Sequence, residues 1–342
     1  MGTRSNIKVL LTCSNIHAKD MILTLKDNYE NRKVQVYCTN SNEFDLPPKS
    51  ICDGGFLMPN VTEPDYIEKL LSLCKDNQIQ IVVPISSIDL NLMAANKEMF
   101  ADNGILVSTT NADSLEVAND KINLWKRYNR FMPNQIVNGT TSDVEGFLSA
   151  TKSICLKLSD NCGGRGFAVV DDAKANNPFY FHRFAQKHYI TKDQLRSILS
   201  DGSNKVILQE YIGGLDYTVS CLCDKGEVTH IVGYVGYMLE FGSIMYGEIK
   251  PNDEAYEIAR YIVSDLKLDG NIAFDFILKD DGGVVLLEVN PRANASLPFV
   301  AKAGCNMLYL RCKQLLGLPY KDEQQKINVG LKMKKYFDTK YF

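Results

Sequence analysis

Apolar and polar positions follow two periods through the first third of the chain. Short apolar runs, "IKVLLTC" (7–13), "KVQVYCT" (33–39) and "IQIVVPI" (79–85), read as buried strands. Between them lie stretches with helical spacing. "HAKDMILTLKDN" is one, and "PDYIEKLLSLCKDN" (64–77) places Ile67, Leu70, Leu71 and Cys74 on one face. "IDLNLMAANKEMFADNG" predicts a helix ending at Gly104, and "ILVS" a further strand. This alternation over 1–113 implies an α/β unit with a parallel, doubly wound sheet.

The pattern changes after about residue 113. "SLEVANDKINLWKRYNRF" (114–131) predicts one helix, ended by Pro133. "SICLKL" (153–158), "FAVV" (167–170), "VILQEYI" (206–212), "YTVSCLCD" (217–224), "HIVGYVGYMLEFG" and "GEIKP" predict strands. Helices are expected over "TKDQLRSIL", 253–268 and 297–316. Hairpins among helices without regular alternation read as α+β. The tail, 321–342, reads as an edge strand guarded by lysines.

Composition narrows the function classes. The chain has 342 residues, 45% of them apolar, enough for two or three cores. A formal net charge of −3 gives no basic excess for nucleic acid. No stretch approaches a membrane span, the first apolar run is too short for a signal peptide, and Asn6 stands where a myristoylation signal needs Ser or Thr. The ten cysteines form no CxxC pair and sit mostly in apolar segments, which favours a reducing, cytoplasmic setting. Cys221 and Cys223 share a strand face, where core packing outweighs a metal role. The first strand-to-helix turn, "TCSNIHAKDM", holds no glycine, so the loop that cradles a dinucleotide pyrophosphate is missing.

The candidate chemistry lies near the end, in "NIAFDFILKDDGGVVLLEVNPR" (271–292). Asp281-Gly282 signals a hairpin turn. With those two residues as the turn, paired positions sum to 563 and Asp275 lies across from Glu288. Such side chains point to one face about 5 Å apart, and Asn290, two residues on, shares it. Phe274, Phe276, Leu287 and Val289 are then the buried face. Two carboxylates and an amide oxygen suit a hard cation such as Mg2+. The other reading is a solvent face bridged by lysines. Upstream, "CLKLSDNCGGRGF" sets Lys157 before Gly163, Gly164 and Gly166, either a plain hairpin turn or a phosphate cradle. Lys121 and Glu210 read equally well as surface residues.

These pieces in this order, "LKLSDNCGGRGF", "LQEYIGGLDYTV", "AFDFIL" and "LLEVNPR", resemble the ATP-grasp superfamily. They are most similar to the carbamoyl-phosphate synthase large-subunit group and the smaller carboxylate–amine ligases. The resemblance spans roughly residues 6–316. It implies a pre-ATP-grasp domain over 1–113 and an ATP-grasp domain over 114–320. The latter has two subdomains with ATP between them, its lid about 132–208. Carried over by position, Lys121 and Lys157 resemble the basic nucleotide-binding residues. The loop from Ser159 to Gly166, with Gly163 and Gly164, is similar to the phosphate lid. Glu210, Tyr211 and Ile212 match the adenine-holding segment. Asp216 stands where the family usually has a ribose-binding glutamate, and Asp89 replaces a glutamate often seen after the "VVP" strand. Asp275, Glu288 and Asn290 match the Mg2+ ligands. Arg292 matches the arginine facing the transferred phosphoryl group, a catalytic role shared with Lys157.

The implied activity is ADP-forming ligation of a small-molecule carboxylate and an amine through an acyl-phosphate. One substrate would be an amino acid, with ATP and Mg2+ (or Mn2+) as cofactors. A homodimer is the default assembly. A phosphotransferase acting on a hydroxyl and a non-catalytic nucleotide-binding regulatory module are the alternatives that the same fold allows.

Overall fold

Apolar runs flanked by amphipathic helices assemble a parallel sheet here because both faces can be covered. The computed structural model describes residues 6–15, 18–137, 139–158, 166–177, 188–201, 205–240, 243–322 and 326–336. Strands β1 (Ile7–Thr12), β2 (Val34–Asn40), β3 (Gly54–Leu57), β4 (Ile81–Pro84) and β5 (Leu106–Val107) run in the order β3-β2-β1-β4-β5. All their pairings are parallel. Val9 and Leu11 on one face of β1 pack with Met21 and Ile22. Leu10 on the other meets Leu70, Cys74 and Phe100. The chain order reverses between β1 and β4, so the crevice beyond their C-terminal ends is the switch point of the sheet.

A second sheet contains β6 (Gln135–Val137), β7 (Ile154–Leu158), β8 (Phe167–Val170), β9 (Tyr189–Ile190) and β10 (Val206–Glu210). Its order is β6-β10-β7-β8-β9, and it keeps its own core around Leu156, Leu195 and Leu208. The third sheet holds β11 (Leu215–Asp224), β12 (Glu227–Glu240), β13 (Ser243–Ile249), β14 (Gly270–Leu278), β15 (Val284–Asn290) and β16 (Lys332–Lys334). Its order is β15-β14-β11-β12-β13-β16. One face packs against helix Asp253–Leu266. The other shares a core with the first sheet through helices Leu297–Lys302 and Met307–Leu315. Cys221 and Cys223 are both buried in the former core.

Three expected helices are each two. The stretch 114–131 breaks into Ala112–Ala118 and Lys121–Tyr128. Asp120 is the reason: its side chain accepts from the N–H groups of Ile122 and Asn123, capping a new helix that starts at Lys121. Asn96 divides 90–102, and Asn306 caps the second helix of the 297–316 stretch.

The β14–β15 hairpin also departs from its expected register. Lys279 and Gly283 close a three-residue loop, with Gly282 in the left-handed region at φ 87°. Next to this loop Leu278 pairs with Val284 and Phe276 with Leu286, one residue out of the expected alignment. A bulge between Asp275 and Phe276 then absorbs Leu287 and restores it, so Asp275 does pair with Glu288. The buried residues of β15 are therefore Val284, Leu286 and Val289, and Leu287 is not one of them.

Candidate active site

The polar face of the third sheet is built by three adjacent strands. Asp216 and Thr218 alternate on β11, Thr218 pairs with Asp275 on β14, and Asp275 pairs with Glu288 on β15. Thr218 donates its hydroxyl to Asp275 Oδ1 at 2.7 Å. The Asn290 amide donates to Asp275 Oδ2 at 2.7 Å and to Glu288 Oε1 at 3.4 Å. Burial, the facing Glu288 and then Asp216 push the Asp275 carboxyl up to about 7, although the Thr218 hydrogen bond pulls it down.

Cations surround these acids. Lys121, in the first turn of its helix, brings Nζ to 3.8 Å from Glu288 Oε2. Lys157 on β7 extends from the second sheet into the same space, near enough to feel Glu288 and Lys121. Burial pushes its ammonium below the ordinary lysine value; Cys155 and Glu288 oppose this and Lys121 adds to it. Arg292 follows β15 after Pro291, which ends the strand pairing. Its guanidinium donates to Ser87 Oγ at 3.0 Å, Ala293 O at 3.3 Å and Asn290 Oδ1 at 3.3 Å. Ser87 belongs to the loop after β4, so Arg292 links the third sheet to the switch-point crevice of the first.

Residues of the second and third sheets thus meet with one helix residue: Lys121, Lys157, Asp216, Asp275, Glu288, Asn290 and Arg292, the last of them tied by Ser87 to the first sheet. Glu210 and Tyr211 stand at the end of β10, where their N–H groups donate to Asn134 O and Ser153 O, both at 2.8 Å. Gly166, with φ 68°, accepts from the Leu158 N–H at 3.0 Å and closes the β7–β8 loop. Ser159, Gly163 and Gly164 lie outside the described residues. Thr218 and Ser87 were not among the sequence candidates. Thr218 was signalled by its place two residues after Asp216; Ser87 carried no signal until the sheets were packed together. Among the described residues no three His, Cys, Asp or Glu gather into a metal-binding group. Two carboxylates and an amide make the donor set.

Comparison with known proteins matches two parts of the chain to known families. Residues 203–338 match a model described as "ATP-grasp in the biosynthetic pathway with Ter operon". Residues 7–108 match a PylC-like N-terminal domain. The C-terminal part of the chain thus matches an ATP-grasp family model. The carbamoyl phosphate synthase large chain of Mesorhizobium japonicum is 26% identical to it over 224 residues, covering 58% of this chain and 19% of that protein. The matched part of this chain therefore spans about a fifth of that relative's length. The biotin carboxylase domain dimer of Hydrogenobacter thermophilus 2-oxoglutarate carboxylase, solved with MgADP, ADP and bicarbonate, superposes with a TM-score of 0.67 at 14% identity. That match covers 96% of this chain and 74% of the other. An L-amino acid ligase from Bacillus licheniformis superposes with a TM-score of 0.66 at 14% identity, over 94% and 77%. The α/β sheet followed by an α+β ATP-grasp unit is the fold of the chain. No helix among the described residues is long and apolar enough to cross a membrane.

Proposed function

We infer that the chain is an ADP-forming carboxylate–amine ligase. One observation carries this reading: Asp275, Glu288 and Asn290 share one face of a hairpin, Lys121 and Lys157 face them, and Arg292 stands at the edge. Ligases and carboxylases among its relatives and structural neighbours support it.

Asp275, Glu288 and the Asn290 oxygen are hard donors that fit Mg2+ (or Mn2+). Asn290 now turns its N–H to both carboxylates, so serving as a ligand means turning the amide over. When bound, the ion offsets charge on the phosphates of ATP. Lys157 and Lys121 add positive charge there, and the family resemblance assigns the phosphate lid to the loop of Ser159, Gly163, Gly164 and Gly166. Asp216 reaches the ribose hydroxyls. The Glu210–Ile212 segment holds adenine. Since the N–H groups of Glu210 and Tyr211 are engaged, a backbone donor to the base comes from Ile212.

The substrate carboxylate attacks the γ-phosphorus and ADP leaves. The amine then attacks the acyl carbon and phosphate leaves, giving an amide. Arg292 balances the phosphoryl charge in both steps. The protein works by positioning and charge neutralisation. Domain limits of 1–113, 114–320 and a tail after 320 belong to this reading.

Phosphate release from ATP–Mg2+ with pooled carboxylates and amines, followed by mass spectrometry of the product, tests it. Release only when both are present is expected. A stable phosphorylated product with one acceptor alone would overturn the ligase reading in favour of phosphotransfer. Tight ATP binding with no turnover would overturn it in favour of a regulatory module.

A further inference from the structure

Glu288, Asp275 and Thr218 form one row across three neighbouring strands, β15, β14 and β11, with Asp275 in the middle. Paired residues point to one face of a sheet, so the three side chains stand side by side. The two oxygens of Asp275 are held from opposite directions. Oδ1 accepts from the Thr218 hydroxyl at 2.7 Å, on the β11 side. Oδ2 accepts from the Asn290 amide at 2.7 Å, on the β15 side, where the same amide reaches Glu288 Oε1 at 3.4 Å. The carboxylate is therefore spread across its own strand. Only Oδ2 is turned toward the other two hard donors, Glu288 and Asn290.

Thr218 is well placed to keep its grip on Oδ1. It is buried in the middle of β11, with Asp275 on one side and Tyr234 on the other. A β-branched side chain in such a position has few rotamers. The Tyr234 hydroxyl is turned elsewhere, to Ser220 Oγ at 2.9 Å and Asn294 Nδ2 at 3.0 Å.

This grip bears on the size of the ion. Mg2+ demands near-ideal octahedral geometry, and a carboxylate that holds an ion with both oxygens spans too narrow an angle for it. The larger Ca2+ takes more oxygens in looser geometry and accepts that hold. An Asp275 whose Oδ1 belongs to Thr218 offers one oxygen. That suits Mg2+ and leaves Ca2+ short of a ligand.

We propose that Thr218 is a positioning residue that confines Asp275 to one-oxygen coordination and so sets a preference for Mg2+ over Ca2+ in the metal–nucleotide complex. The proposal deepens the metal site of Asp275, Glu288 and Asn290 and rests on that reading. It asks of Thr218 its hydroxyl and not its shape. Hydrogen bonds that orient a metal's ligands typically change its affinity by about 10–100-fold when removed.

Calorimetric titration of the full chain with ADP, in EDTA, saturating Mg2+ or saturating Ca2+, tests this without turnover. Wild type is expected to bind ADP more tightly with Mg2+ than with Ca2+. Thr218→Val keeps the shape and loses the donor; Thr218→Ala takes its place if that variant does not fold. The change should weaken binding with Mg2+ by roughly 10–100-fold and leave binding with Ca2+ unchanged or tighter, so that the preference shrinks by about tenfold or more. Binding in EDTA should not change. Thr218→Ser, which keeps the hydroxyl, should retain the wild-type preference.

A role in packing alone would weaken ADP binding equally with both ions and in EDTA, and that result would overturn the proposal. So would equal affinity with the two ions in wild type, or a preference in Thr218→Val within about threefold of wild type. If neither ion alters ADP binding to wild type, the metal site itself fails and the proposal with it. A wild type that binds MgADP but turns over no carboxylate and amine would sink the ligase reading, and the titrations would still decide the role of Thr218.

Discussion

Replacing Glu288 by glutamine should strengthen the metal-free protein while weakening its grip on the metal–nucleotide complex. Asp275 and Glu288 are directly paired, with side chains about 5 Å apart. Two unit charges at that separation, at an effective dielectric of about 20, repel by roughly 3 kcal/mol. Against this, Glu288 attracts Lys121 at 3.8 Å, a part-exposed pair contributing at most about 1 kcal/mol. The glutamine keeps the shape and removes the repulsion. A gain of roughly 1–2 kcal/mol at pH 8 is expected from these two terms.

The gain should shrink as pH falls. The folded Asp275 carboxyl is raised from 3.8 to about 7, so below 7 it takes up a proton and the repulsion disappears. The sign is that of a raised acid: the folded state binds more protons than the unfolded one between these values, so stability falls as pH rises through that window. Urea denaturation in EDTA at pH 6 and pH 8 reads this. Calorimetric titration with MgADP reads the other side, where losing an anionic ligand should cost on the order of 100-fold in affinity. Destabilisation of the metal-free protein by Glu288→Gln, or MgADP affinity unchanged to within about threefold, would refute the reasoning.

Other perturbations separate the parts of the account. Lys157→Met should lower kcat/KM for ATP by roughly 10²–10³, as for loss of one preorganised donor, while leaving the nucleotide-free melting temperature equal or higher. Steady-state kinetics and calorimetry check it. His230 is buried, its Nδ1 3.0 Å from Thr229 Oγ1 and its Nε2 without a partner, and burial lowers its pKa. The unfolded chain then binds the extra proton below pH 6.5, so stability should fall with acid, by up to about 1.4 kcal/mol per pH unit. His230→Gln should flatten that limb of a pH series of urea curves. Arg311 is 2% exposed and donates to Asp269 at 2.8 Å and 3.2 Å. Asp269→Asn should cost about 3–5 kcal/mol by leaving a buried guanidinium short of charge, read by the urea midpoint.

Much of the scaffold was legible because its signals are local. β1, β2 and β4 of the first sheet are short, largely buried apolar runs, whereas half-exposed β3 gave no such run, and "DG" marked the hairpin loop. The facing of Asp275 and Glu288 was legible for a less secure reason. The loop holds three residues rather than two, and the bulge at Leu287 corrects the shift. The two departures cancel at the acidic pair, yet they place Leu286 rather than Leu287 in the core. Bulges depend on how a strand curves against its neighbours, which periodicity does not report. The break before Lys121 lay in plain view as "ND", a cap signal overridden by the longer apolar period. Thr218 beside Asp275 and Ser87 beside Arg292 depend on strand order and on the packing of two sheets. So does the inward turn of Asp89, which its position alone would assign to helix capping.

The most direct measurement of the central claim follows oxygen. The carboxylate pool, amino acids included, is labelled with 18O in its carboxyl groups and supplied with ATP, Mg2+ and the amine pool, and the released phosphate is weighed by mass spectrometry. If the carboxylate attacks the γ-phosphorus and is later displaced by an amine, one labelled oxygen leaves in each phosphate. Phosphate released without label during turnover would contradict the acyl-phosphate route and with it the ligase assignment.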